Sequence, residues 1–363
     1  MAQPLRITQL MLSKGMGGAE RYFVDLCRAL AVRGHRIQAV FHRDFVARDE
    51  LEGHTNIECV PLRILSVWDI WARHAIRKHV RTFAPHLMQA HLARGAHMGG
   101  HICKALALPL TVKTHNQVKL KYYRHVDHFI TTTAAQKTYL LSHGVDAARV
   151  SIIPNFSALA SVAEASMPHT PVRFCSYGRM VKKKGFDVLL RAFRTFLDSG
   201  NQGFLQIGGD GEERSALETL TIALGLSAHV EFVGWVTDPA QLLDGCDVFV
   251  LPSLDEPFGI VLLEAMARGK AIIATRTQGP LEIFSDAHAW LVEIGDIEEL
   301  AAALVDVALH PDALREKSRA ALMRFKQTYS AEAVIPRILG VYEAMLDTRL
   351  RHAGVDGRSG LRK

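Results

Sequence analysis

Residues 251–270, LPSLDEPFGIVLLEAMARGK, constrain the fold of this chain more than any other stretch. The apolar run 248–251 that leads into them reads as a buried strand. A loop containing Pro257 follows, then an apolar helix over about 259–268, stopped by Gly269, and a second buried strand at 271–274. Two carboxylates flank the turn: Glu256 before the helix and Glu264 inside it. The free amides of Gly259, Ile260 and Val261 at the helix start are a ready site for phosphate. Glu264 lies about 7 Å further along the helix axis, a plausible reach from a diphosphate to the hydroxyls of a ribose. The stretch therefore predicts a nucleotide diphosphate site, with one acid on the ribose and one near the group being transferred.

At 363 residues the chain has room for two ordinary domains, and its 48% hydrophobic content is that of a globular protein. No apolar run is long enough to span a membrane. The N-terminus runs straight into a strand, so no signal peptide is expected. The five cysteines (Cys27, Cys59, Cys103, Cys175, Cys246) form no CxxC pair, which predicts free, mostly buried thiols in a reducing cytoplasm. The net charge of +6 is uneven: residues 1–165 hold 21 Lys+Arg against 11 Asp+Glu, and residues 166–363 hold 22 against 26. A basic first half can meet an anionic membrane surface, an anionic acceptor or nucleic acid, or simply be a solvated face.

In chain order, a buried strand at 5–12 runs into Ser13-Lys14-Gly15-Met16-Gly17-Gly18-Ala19-Glu20-Arg21, a helix to about Arg33 and a strand at 35–41. This is the opening of a Rossmann-like unit. The spacing is not G-x-G-x-x-G and no acid ends the second strand, which weighs against a dinucleotide. The glycines instead let the backbone approach an anionic or sugar ligand closely. Further strands are expected at 57–61, 87–90, 108–112, 128–131 and 150–153, with helices at 67–83 and 133–142. The helix at 67–83 carries Arg73, Arg77, Lys78 and Arg81, with Arg63 nearby and Trp68 and Trp71 at its start. Those tryptophans suit either a membrane interface or the core. His91 stands at the C-terminal end of its strand, the end where open α/β sheets bind ligands. Lys113-Thr114-His115-Asn116 load another strand end in the same way, and Lys119 to His125 continue a basic rim. Residues 157–171 read as the interdomain linker. A second alternation follows, with strands at 172–177, 204–207, 230–233 and near Trp290, and helices at 186–197, 239–243, 297–309 and 311–325. The expected division is an N-terminal domain at 1–160, a C-terminal domain at 171–330, and an amphipathic helix at 331–350 that packs back towards the N-terminal domain, before a frayed basic tail at 351–363. The architecture is α/β, two doubly wound halves facing across a cleft.

The motif EPFGIVLLEAMA, which gives E-x7-E from Glu256 to Glu264, occurs with GRMVKKKG at 178–185, GGAER at 17–21, IPN at 153–155 and QGPLE at 278–282. With these the chain resembles retaining glycosyltransferases of family GT4, over nearly its whole length. The resemblance implies the GT-B fold of two Rossmann-like domains. It implies that Arg179 and Lys184 hold the donor diphosphate and its developing charge, a role that fixed cations can fill where no D-x-D binds a metal. No cofactor or metal is expected. It implies that Glu264 holds the ribose, that Glu256 sits by the donor sugar, and that Phe258, Gly259, Ile260 and Val261 offer backbone amides, with Gly234 also on the donor side. Gly17 and Gly18 would approach the diphosphate from the other domain, and His91 would lie near the sugar and acceptor, with Glu20 and His115 as weaker candidates. The catalytic set is thus His91, Glu256, Arg179 and Lys184.

The expected function is metal-independent, retaining transfer of a hexosyl group from a nucleotide sugar, a UDP-sugar by family likeness. The acceptor would be a lipopolysaccharide-core, lipid-linked or cell-surface glycan. The expected place is the cytoplasm, peripheral on the cytoplasmic face of the inner membrane, with no nucleic-acid partner. The alternatives are a soluble family member acting on a small sugar or sugar phosphate, and a sugar-nucleotide epimerase on the same architecture.

Overall fold

The structure is a computed structural model that describes residues 3–116 and 119–359. It divides into two units: residues 1–158 with 331–363, and residues 159–330.

The first unit carries β1 (Arg6–Met11), α1 (Gly18–Val32), β2 (Arg36–His42), β3 (Ile57–Leu62), α2 (Ile70–Phe83), β4 (Leu87–His91), α3 (Leu92–Leu106), β5 (Leu110–Thr114), β6 (His128–Thr131), α4 (Ala134–Ser142) and β7 (Val150–Ile152). Its parallel sheet has the order β3-β2-β1-β4-β5-β6-β7. Strands of a parallel sheet are covered on both faces, hence their near-continuous apolar runs. Leu10, Val40, Met88, Leu110 and Val112 form the core with Ile76 and Val80 of α2 and Ile102 of α3.

The second unit carries β8 (Val172–Tyr177), α5 (Phe186–Asp198), β9 (Gly203–Gly208), α6 (Arg214–Ala223), β10 (Val230–Gly234), α7 (Pro239–Asp244), β11 (Val248–Leu251), α8 (Ile260–Ala267), β12 (Ala271–Thr275), α9 (Gln278–Ile283), β13 (Trp290–Val292), α10 (Ile297–Leu309) and α11 (Pro311–Arg324). Its parallel sheet has the order β10-β9-β8-β11-β12-β13. Phe174, Phe193 and Phe196 stack and cross at its centre, with Val250, Ile273 and Leu304.

The chain then returns. The helix α12 (Ala331–Ser359) belongs to the first unit, where Val334, Ile335, Ile338 and Tyr342 are fully buried. Arg337 of α12 donates to the carbonyl of Ile152 at 2.8 Å. Among the described residues no helix is long and apolar enough to cross a membrane.

Several expectations change. The helix expected at 67–83 starts only at Ile70, because the Asp69 carboxylate caps it by accepting from the Ala72 amide at 2.9 Å. Trp68 and Trp71 therefore do not pack into the core: they are 68% and 81% exposed. The terminal helix continues past 350 through Ser359, where a frayed tail was expected; residues 360–363 lie outside the described residues. The expectation of free thiols holds for Cys27, Cys59 and Cys103, and Cys175 and Cys246 lie side by side with their Cα atoms 6.0 Å apart. The adjacency of β8 and β11 brings those two cysteines together across 71 residues of sequence, a separation that hides them from any spacing argument. The linker segment is strapped to the second unit: the Val162 amide donates to Ala267 at 2.9 Å and Arg268 donates to the carbonyl of Ala160 at 2.9 Å.

Candidate active site

Each sheet reverses its strand order once, between β1 and β4 in the first unit and between β8 and β11 in the second. Loops leaving the carboxyl ends of such a strand pair diverge to opposite faces and open a crevice, the usual ligand position of an open α/β sheet. Most of the residues singled out from the sequence lie at these two places, Gly234 at the end of the edge strand β10 being an exception.

In the second unit, β8 ends at Tyr177 and delivers Arg179 and a 3-10 turn at Lys182–Lys184, while β11 delivers Glu256 and α8. The two loops are knitted together. The Leu254 amide donates to the carbonyl of Lys183 at 2.8 Å, and Lys184 Nζ meets Glu256 Oε2 at 2.5 Å. Both partners are largely buried, with side chains 20% and 11% exposed. Gly185 follows in the left-handed region at φ +66°, and a Cβ there would stand 2.1 Å from the carbonyl of Pro252, so only glycine lets the loops close this far. Arg179 is exposed and its side chain has no partner among the described residues. Of the two expected cations, one is already neutralised by a carboxylate and the other is unpaired.

Gly259 caps α8 at φ +89°, so Ile260 and Val261 begin the helix and their amides have no intrahelical partner. The loop before it is held by α9, whose Gly279 amide donates to the carbonyl of Glu256 at 2.8 Å. Phe258 is buried against Tyr329. Glu264 is buried one turn into α8 and accepts from the Tyr177 hydroxyl at 2.5 Å. Burial, then the charge of Glu264, pushes the Tyr177 phenol well above its ordinary value, so it stays a donor. Gly234, at the end of β10, accepts from the Gly209 amide at 2.6 Å.

In the first unit, Gly17 caps α1 in extended backbone and Gly18 opens the helix. Glu20 folds back onto the loop and accepts from the Ser13 hydroxyl at 2.6 Å. His91 ends β4, and α3 starts at the next residue. Leu92 makes that turn at φ +59°, a left-handed conformation that a leucine adopts only under constraint. A pocket of ≈ 770 Å³ opens here, lined by first-unit residues alone, His91, Leu92 and Arg94 among them. That size suits a small-molecule ligand.

His91 itself is fully buried, and both ring nitrogens are engaged. The hydrogen bonds around it have one consistent polarity. The Tyr342 hydroxyl donates to Gln89 Oε1 at 2.7 Å and accepts from Gln9 Nε2 at 3.3 Å. Gln9 Oε1 then accepts from His91 Nε2 at 2.9 Å, which places the His91 proton on Nε2. His91 Nδ1 is left to accept from His115 Nε2 at 3.3 Å. Burial, reinforced by the charge of Lys113, pushes His91 down to about 3, so it is a neutral imidazole.

The polar end of β5 does not meet the pocket as a whole. Lys113 is fully buried and donates to the carbonyl of Ile153 at 2.5 Å, and Thr114 turns to Gln136 at 3.0 Å. Of the four residues expected there, only Asn116 lines the pocket. Tyr177, Gln9, Gln89 and Tyr342 were absent from the sequence-based set. Two glutamines in the middle of buried strands are a signal in hindsight, since buried amides must find partners.

Two family models match the chain: "Glycosyltransferase Family 4" over residues 16–159 and "Glycosyl transferases group 1" over residues 161–322. The lipopolysaccharide core biosynthesis glycosyltransferase LpsD of Rhizobium meliloti (strain 1021) is 32% identical over 337 residues, 90% of this chain and 95% of the relative. LpsE of the same organism is 30% identical over 309 residues, 84% of this chain and 88% of the relative. The chain belongs to glycosyltransferase family 4. Among solved structures, Anabaena Alr3699/HepE in complex with UDP-glucose aligns at a TM-score of 0.80 with 19% identity, covering 94% of this chain and all of the other. The lipopolysaccharide outer core galactosyltransferase WaaB aligns at 0.73 with 16% identity over 94% of this chain and 100% of that one. These likenesses fix the fold as GT-B, two Rossmann-like domains with parallel sheets. The family 4 enzyme is a glycosyltransferase that draws on a nucleotide sugar.

Proposed function

We propose that the enzyme moves a hexosyl group from a UDP-sugar to a lipopolysaccharide-core or other cell-envelope glycan, with retention of anomeric configuration and without a metal. The observation that carries this reading is the convergence of Arg179, the Lys184–Glu256 pair and Glu264 at the switch point of the second sheet. Arg179 and Lys184 hold the donor diphosphate, with the amides of Phe258 to Val261 and Gly234 beside it. Glu264, fixed by Tyr177, holds the ribose, and Glu256 sits near the donor sugar. When the C1–O bond of the donor breaks, its electron pair goes to the diphosphate oxygen, where Arg179 and Lys184 stabilise the charge. The acceptor hydroxyl bonds to C1 on the same face and passes its proton to that departing oxygen. His91, kept neutral, shapes the acceptor side.

The lipopolysaccharide-core relatives support the acceptor, and the UDP complex of the structural neighbour supports the base. A thermal-shift panel of UDP-, GDP- and ADP-sugars tests the donor, since a bound ligand raises stability by mass action. NMR of the product reads its anomeric configuration. Stabilisation by the GDP- or ADP-sugars alone, or an inverted product, would refute the corresponding part.

We place the reaction at the cytoplasmic face of an anionic membrane. Exposed Leu65, Trp68, Ile70 and Trp71 beside Arg63, Arg73 and Arg77 support this, as apolar and cationic groups together suit a lipid interface. Co-sedimentation with phosphatidylglycerol vesicles should be strong at low salt and lost in a Trp68→Ser/Trp71→Ser double variant. Binding that ignores both salt and these residues would count against it.

A further inference from the structure

The pocket of the first unit carries more charge than a neutral sugar calls for. Lys14, Arg43, Arg63, Arg94 and Lys119 line it, and the only carboxylate among the lining residues is Asp44. Part of that charge is answered within the protein. Asp44 pairs with Lys14 at 3.3 Å and lies 3.5 Å from Arg43, and Arg94 donates to the carbonyl of Leu12 at 3.2 Å. His42, also in the wall, is tied by the Asp44 amide at 3.0 Å and the carbonyl of Ile64 at 3.2 Å. Arg63 and Lys119 are different. Both are exposed, and neither side chain has a hydrogen-bond or ion-pair partner among the described residues. They arrive from separate segments, one after β3 and one after β5, and meet in the same pocket wall as Tyr122 and Tyr123. Cations gathered round a recess with low-dielectric walls repel one another and focus a field that attracts an anion.

We infer that this pocket receives an acceptor sugar bearing an anionic substituent, a phosphate or a carboxylate, and that Arg63 and Lys119 read its charge. The word acceptor rests on the glycosyl-transfer reading; the binding of an anionic sugar does not. The two unpaired cations supply charge-assisted hydrogen bonds to the substituent, and the tyrosines offer ring surface to the sugar.

Ligand-observed NMR on the full chain tests this with glucose, glucose 6-phosphate, glucuronate and inorganic phosphate as probes. Glucose 6-phosphate, glucuronate or both should bind roughly tenfold or more tighter than glucose, with an affinity that falls as salt rises. The two arms tell phosphate from carboxylate. Arg63→Glu and Lys119→Glu should each remove the preference and leave the thermal unfolding midpoint in place, because both side chains are exposed and unpaired. Equal binding of glucose, equal binding of inorganic phosphate alone, or a preference untouched by both variants would overturn the inference. If no nucleotide sugar supports transfer but the charge preference survives, the transfer reading fails and the anionic-sugar site stands.

Discussion

At the scale of single residues, the two cations proposed for the diphosphate differ in what they do for the protein, and that difference is measurable. Arg179 is exposed and unpaired among the described residues, so Arg179→Ala should leave thermal stability within a degree or two and lower kcat/KM by about 10²–10³. Lys184→Ala strands the largely buried Glu256 carboxylate and should also destabilise the second unit by on the order of 2–3 kcal/mol. Equal stability loss in both variants, or turnover near wild type in either, would contradict the diphosphate assignment. His91 offers a second test. The folded chain excludes a proton from it down to about pH 3, while the unfolded chain takes that proton up near its ordinary 6.5. Its contribution is therefore full above 6.5 and lost as pH falls from there towards 3, by about 1.4 kcal/mol per pH unit. Denaturant midpoints of the wild type should drop between about pH 7.5 and 5, and His91→Gln should flatten that drop; parallel curves would refute it. The residues proposed for the donor in the second unit could be singled out because their motifs are contiguous. The wiring of His91 could not, since Gln9, Gln89 and Tyr342 are distant in sequence and only the folded sheet joins them.

At the scale of elements, the strand-end loops are what the sheet order positions. The alternation of apolar runs and amphipathic stretches made both doubly wound sheets readable, and the strands at 128–131, 172–177 and 248–251 fall where the sequence places them. Boundaries moved where a side chain took over the backbone's hydrogen bonds, as Asp69 did for α2. A tight constraint lies at Gly185. A Cβ there would stand 2.1 Å from the Pro252 carbonyl, whereas Gly200, at φ +82°, has nothing within 4 Å. Gly200→Ala should therefore cost only the left-handed strain, about 1–2 kcal/mol, and spare donor binding. Gly185→Ala should push the two loops apart, parting Lys184 from Glu256, and weaken UDP-sugar binding at least tenfold. Titration of both variants with the donor checks this, and equal affinities would show that loop closure is not what builds the site.

At the scale of the whole molecule, the first unit is discontinuous, made from residues 1–158 and 331–363. Removing everything after Ser330 would uncover the surfaces that Val334, Ile335, Ile338 and Tyr342 fill, a loss on the order of 5–10 kcal/mol and comparable to the stability of a whole domain. Limited proteolysis of that truncated chain should digest residues 1–158 and spare 159–330; resistance of both would refute the dependence. The return helix has a consequence for how the enzyme is made. A ribosome delivers β1 and β4 early, then all of residues 159–330, and only afterwards the tyrosine that completes the hydrogen-bond chain to His91. At bacterial or slower rates of synthesis that interval lasts on the order of ten seconds or more. Throughout it Gln9 and Gln89 wait without the hydroxyl that joins them. A message cut short anywhere before codon 342 therefore yields protein whose first unit is unfinished, with Gln9 and Gln89 beneath His91 still unjoined.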